Sequence, residues 1–170
     1  MATARERRYW ASKEKRIRFK TVEIHHDSIG TLRYVLEQFN SKSFTLEATA
    51  PRDASATVEF DPMSGQLSDP SQSGATINRT LSLGRVGSEV RQKLKLIDNS
   101  SRYLSMQMII RYYIAGEESA PSNVPEIYYI SNVSIDENSV TITATDELVY
   151  NSRVSRVYRE DELTGMQGFL

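Results

Sequence analysis

Period-two alternation of apolar and polar residues runs through most of the chain. Such a pattern marks strands with one face buried and one face wet. Lys20–Ile24 reads as a first strand. In the next, Thr31–Glu37, Leu32, Tyr34 and Leu36 share one face while Thr31, Arg33 and Glu37 share the other. Phe44, Leu46 and Ala48 alternate with Thr45, Glu47 and Thr49, and Val58 and Phe60 alternate with Thr57 and Glu59. From Asp61 to Ala75 the chain reads DPMSGQLSDPSQSGA, a composition that predicts a long loop. Ile77, Leu81 and Leu83 mark a further strand. Val86, Val90, Leu94 and Ile97 fall at helical spacing and predict one amphipathic helix over about Gly87–Asp98, with Ser88 as its cap. The clearest strand places Leu104, Met106, Met108, Ile110, Tyr112 and Ile114 on a single face. Ile127–Ile135 and Ser139–Thr145 then flank Asp136-Glu137-Asn138 as a β-hairpin, with Val140, Ile142 and Ala144 facing one way and Ser139, Thr141, Thr143 and Thr145 the other.

The pattern predicts a mainly β protein of α+β class: an antiparallel β-sandwich or barrel-like domain with one amphipathic helix and extended terminal arms. Three parts follow. Residues 1–18 form a basic arm or helix, residues 19–150 the β-rich core domain, and residues 151–170 an extended tail.

Composition sharpens this picture. Hydrophobic residues make up 39% of 170 residues, so the core is modest for the chain's length and a neighbour is expected to supply further burial. A net charge of −1 gives no global field toward nucleic acid or membrane. The absence of cysteine removes disulfides, thiolate metal sites and cysteine nucleophiles. No stretch approaches the roughly 18 apolar residues of a membrane span, and the charged start lacks the apolar run of a secretory signal.

Charge is nevertheless uneven. Arg5, Arg7, Arg8, Lys13, Lys15, Arg16, Arg18 and Lys20 are opposed in that stretch only by Glu6 and Glu14. With Tyr9 and Trp10 among them, the arm has the residue types that stack on bases and grip phosphates. It carries no nucleic-acid-binding motif, and an acidic surface on a neighbouring subunit fits it better. The expected interface residues are therefore Arg5, Arg7, Arg8, Tyr9 and Trp10 in the arm. In the tail they are Arg156, Tyr158, Phe169 and Leu170, the last two an apolar pair read as an anchor.

The remaining polar clusters read as ordinary surface and strand-end groups. His25 and His26, adjacent on a strand, point to opposite faces and cannot chelate one ion together. Asp136-Glu137, Asp146-Glu147 and Glu160-Asp161-Glu162 read as solvated charge in a turn, at a strand end and in the tail, not as a hydrolytic pair across a cleft. No nucleophile elbow, phosphate loop or dinucleotide fingerprint occurs. The doublets Tyr112-Tyr113 and Tyr128-Tyr129 suit either an interface or cross-strand packing. The expectation is no catalytic residue, no metal and no cofactor.

The order of elements carries a resemblance. A charged helix leads into paired strands, then an amphipathic helix, the long strand to Ile114, the hairpin YYISNVSIDENSVTITATDELVYNSRV and the close SRVYREDELTGMQGFL. This resembles a family of short phage tail proteins known only as a domain of unknown function, and is similar to the N-terminal domain of the lambda-type minor tail protein L. Tyr150, Asn151, Arg156, Tyr158, Asp161 and Glu162 fit the family's closing segment. Gly168-Phe169-Leu170 stands where a proline-containing end is usual. The iron–sulfur domain of the lambda-type protein has no counterpart in a chain without cysteine. The resemblance implies a structural part of a phage tail tip. It would be a ring, threefold or sixfold, between the distal tail ring and the central spike or fibre protein, near the tape measure. It implies a virion location after assembly in the host cytoplasm. The distal tail ring itself and a carbohydrate-binding β-sandwich on a fibre are the alternatives.

Overall fold

The computed structural model describes residues 3–11, 16–73, 76–84, 92–93, 96–97, 106–136 and 139–146. Helix α1 (Ala4–Ala11) is followed by ten strands: β1 (Arg18–His26), β2 (Gly30–Leu36), β3 (Lys42–Thr45), β4 (Thr57–Met63), β5 (Gly65–Leu67), β6 (Ser71–Ser73), β7 (Thr76–Leu83), β8 (Gln107–Ile114), β9 (Glu126–Ile135) and β10 (Val140–Thr145). All belong to one sheet in the order β3-β4-β2-β1-β8-β9-β10-β7-β5, with β6 beside β7. The mainly β, α+β class read from the alternation is the observed one.

The sheet curls. Met63 at the end of β4 pairs with Leu36 of β2, and Gly65 at the start of β5 pairs with Leu83 of β7. Only Ser64 separates them, so one bent segment of chain touches both limbs of the sheet. The backbone bonds Glu37 N–H to Met63 O (3.1 Å) and Gly84 N–H to Ser64 O (3.1 Å) hold the two sides of the bend. Gly65 is required there: a Cβ would lie 2.9 Å from the Ser82 carbonyl oxygen and 3.0 Å from Leu83.

Inside the curl, alternate residues of seven strands make the main core, among them Val22, Ile24, Leu36, Met63, Leu81, Met108, Ile110 and Ile142. A second core lies on the opposite face of β1, β2 and β8, where β3, β4 and the loop of residues 46–56 fold over Phe19, Val35 and Tyr113. Phe44 anchors this cover, stacked on Tyr113 at 4.4 Å between ring centroids and tilted against Phe19.

Four expectations need correction. The loop predicted over 61–75 is largely strand: β4 runs on through Pro62, and β5 and β6 follow. Proline is tolerated because this stretch of β4 adds to β2 through a short parallel pairing, Tyr34↔Asp61 to Leu36↔Met63, which is also the one departure from antiparallel order. Strand β8 is buried on both faces, not one: Ile109, Arg111 and Tyr113 on the other face are buried too, Tyr113 within the second core. Finally, β1 begins at Arg18, two residues earlier than read, because Arg18 pairs with Ile114 across the sheet. The hairpin β9–β10 is as read, with a register shift at Thr143/Ala144. Most of the amphipathic helix predicted over 87–98 lies outside the described residues.

Candidate functional site

The candidate interface arm is seated by polar contacts. None of the residues of α1 is buried. The Thr3 hydroxyl donates to the Ser122 carbonyl and accepts from the Glu6 N–H, capping the helix. Arg5 Nη1 donates to the Ala120 carbonyl at 3.1 Å and its Nε lies 4.0 Å from Glu117 Oε2. Glu6 faces Arg18 at 3.8 Å. Beyond α1, Arg16 holds the other oxygen of Glu117 at 3.1 Å, and the Tyr9 hydroxyl reaches the Arg16 carbonyl. Arg7, Arg8 and Trp10 point into solvent, Trp10 with its ring edge against Tyr9 at 5.2 Å. Five of the expected interface residues thus form one short arm, two of them (Arg5 and Tyr9) turned back to the body. Arg156, Tyr158, Phe169 and Leu170 lie outside the described residues.

Beside α1 a polar cleft opens at one end of the main core, lined by Glu6, Arg18, Arg79, Tyr112, Asn123, Val124 and Glu126. Arg79 shares a strand face with Leu81 and Leu83 and is 4% exposed. It binds Glu126 at 2.7 Å, the Ser68 carbonyl and the Tyr112 hydroxyl. Burial pushes the Arg79 guanidinium down, but its hydrogen bonds to Glu126 and Tyr128 outweigh this and hold it firmly charged. Arg18 lies flat over the Tyr112 ring, 4.1 Å from its centroid.

A second charged group sits under the loop of residues 46–56. Arg111, fully buried, gives Glu47 two hydrogen bonds of 2.8 and 3.0 Å and gives Glu23 one of 3.0 Å. Arg33 adds 3.3 Å to Glu23 and bonds Asp53, while Arg52 binds Gln107. Glu23, Glu47 and Asp53 balance Arg33, Arg52 and Arg111, so the cluster is neutral. It joins the loop to the sheet. Neither cluster was anticipated from the sequence. The available signal was a charge in register with apolar neighbours: Arg79 with Leu81, and Arg111 inside the run Met108–Ile114.

The other candidates resolve plainly. His26 is buried and accepts the Ser28 N–H, whereas His25 lies between Thr31 and Asp27 at 3.0 and 3.3 Å, on the opposite face. Among the described residues no three His, Asp or Glu gather where they would hold a metal ion. None of the described helices is long and apolar enough to cross a membrane. Asp136 and Asp146 are exposed, and Asp146 accepts the Ile77 N–H at 2.8 Å. Tyr112, Tyr113 and Tyr128 are buried, which settles those rings as packing, and burial pushes all three phenols up.

Exposed apolar side chains remain. Phe39, in the turn between β2 and β3, is 99% exposed, and Trp10, Ile17 and Val124 are 69%, 60% and 65% exposed. The turn follows Glu37, which takes a left-handed φ of 58°.

The chain matches a protein family over residues 4–158, the family described as a domain of unknown function, DUF1833. It belongs to that family. No curated protein matches it.

Proposed function

We propose that this protein is a structural component of a bacteriophage tail tip. Its work is mechanical: it joins the distal tail ring to the central spike or fibre protein and keeps the tube closed until the host is engaged. The observation that carries this reading is Phe39, 99% exposed on a turn outside two well-filled cores. A single exposed aromatic is ordinary on a protein surface, but with Trp10, Ile17 and Val124 also exposed it adds to the apolar side chains open to a neighbour. The polar-docked arm with Arg7, Arg8 and Trp10 supports the same reading. So does the resemblance of the closing hairpin and tail to short phage tail proteins. A β body fixed by a neutral buried ion cluster suits a part that transmits force without chemistry of its own. The contacts expected are with other copies in a threefold or sixfold ring and with tail proteins above and below.

Cryo-electron microscopy of purified particles tests it. The expected result is density for this chain in a ring at the tail tip, with Phe39 against a neighbour. Complete, infectious particles that lack the chain overturn the reading.

A further inference from the structure

We infer that the open outer face of β9, β10, β7 and β5 is a binding surface for a neutral polysaccharide. This rests on the side chains of that face and not on the tail-tip reading. Particles without the protein would sink that reading and leave the present one standing.

The side of the sheet opposite the main core has two halves. Over β1, β2 and β8 it is covered by β3, β4 and the loop of residues 46–56. From β9 onward it is open, with Asn132 and Ser134 of β9, Ser82 of β7 and Gln66 of β5 exposed. Strand alternation decides what stands there. Val140, Ile142 and Ala144 belong to the main core, so Thr141, Thr143 and Thr145 face outward. The register sets their neighbours: Thr141 lies between Ser134 and Ser82, Thr143 between Asn132 and Thr80, and Thr145 between Tyr129 and Asn78. Gln66 continues the first row beside Ser82. Paired strands lie about 4.8 Å apart and alternate residues about 7 Å apart, so short hydroxyl and amide side chains form a regular grid on a stiff backbone.

None of these positions is charged, although 25% of the chain is. Where a strand of this protein simply faces water it carries charge, as β4 does at Glu59 and Asp61.

The chemistry of the grid selects its occupant. With no cation in it, the grid offers nothing to a nucleic acid, an anionic lipid or an acidic glycan. A second copy laid face to face would bury hydroxyls and amides with little apolar contact in return, the reverse of a sheet-packing interface. A neutral polysaccharide matches it, because sugar hydroxyls donate and accept as Ser, Thr, Asn and Gln side chains do, and waters can bridge the remainder. One corner supplies apolar contact for a sugar ring. Tyr128 and Ile130 turn into the main core, which leaves Ile127, 43% exposed, and Tyr129 on the outer side, with Ile127 paired to Ile109 where the cover ends. Short side chains fixed on a sheet lose little rotamer freedom on binding.

Native gels cast with neutral polymers of glucose, mannose or galactose, and with alginate as an acidic control, test the inference by retardation of the whole chain. The expected result is retardation by at least one neutral polymer and none by alginate. Thr143→Lys and Asn132→Lys should each weaken it at least tenfold with the melting temperature unchanged, while Thr143→Ser, which keeps the hydroxyl, should bind like the parent. Passage through every neutral polymer without retardation overturns the inference, as does retardation that both lysine variants retain. Sedimentation against concentration gives the other arm: a dimer that Thr143→Lys abolishes would put a second copy on the face and overturn it too.

Discussion

Arg111 on β8 and Glu47 in the loop after β3 form a two-point ion pair, 64 residues apart in sequence, with Nε–Oε2 at 2.8 Å and Nη2–Oε1 at 3.0 Å. The guanidinium is fully buried and also reaches Glu23, itself fully buried. Removing Arg111 leaves Glu47 without its two-point partner and fully buried Glu23 with only the longer contacts to Arg33 (3.3 Å) and Arg52 (3.7 Å). Arg111→Ala should cost about 3–5 kcal/mol in chemical denaturation. Arg111→Lys should fail to restore it, since an ammonium lacks the flat two-pronged geometry. A loss below about 1 kcal/mol for Arg111→Ala would mean that water already reaches the cluster.

The bend at Gly65 makes a second, separate prediction. A methyl group at this position meets the Ser82 carbonyl oxygen at 2.9 Å, and backbone does not yield cheaply. Gly65→Ala should destabilise by about 1–3 kcal/mol, and Gly65→Val by more. Gly116, at φ +85° with nothing within 4 Å of where a methyl group would sit, is the contrast. Its replacement by Ala should cost only about 1 kcal/mol of backbone strain. Thermal melts of the variants side by side separate crowding from strain.

The alternation of apolar and polar residues made the strands and the main core legible, because a half-buried strand must alternate. It did not reveal that the sheet curls. That depends on where Met63 and Gly65 pair, and the stretch around them looks like loop because Pro, Gly, Ser and Asp dominate it. The same blindness hid the second core. Strand β8 reads as apolar on one face, with Gln107 and Arg111 on the other, and nothing local says that Phe44, 69 positions from Tyr113, will stack on it. The basic arm was legible as an arm from its charge and its lack of apolar residues. That it docks back on the body was not, since its partners, Glu117, Ala120 and Ser122, sit in an unpatterned loop.

Surface exposure separates folding from assembly. Phe39→Asp removes a side chain that touches nothing in the isolated chain, so its stability should change by no more than about 0.5 kcal/mol. On the tail-tip proposal, the same variant should block incorporation into particles, read by complementation of a phage lacking the gene. Normal particles from Phe39→Asp would remove that turn from the interface.

Alkaline pH tests the buried tyrosines. Burial pushes the Tyr113 phenol well above its ordinary value near 10, and Tyr112 and Tyr128 move the same way. The folded state therefore holds protons that the unfolded chain has already lost once pH exceeds about 10. Their contribution is fully present below that pH and falls away as pH rises toward the folded-state values. Melting temperature should accordingly be flat with respect to these groups up to about pH 9 and drop steeply above 10. Tyr113→Phe deletes the hydrogen bond to the Thr45 carbonyl, 3.1 Å long, and should cost about 1 kcal/mol at neutral pH. It also removes one titrating group, so the variant should lose less than the parent between neutral and alkaline pH, and the two curves should converge. Parallel curves would show that Tyr113 ionises as freely in the folded protein as in the unfolded chain.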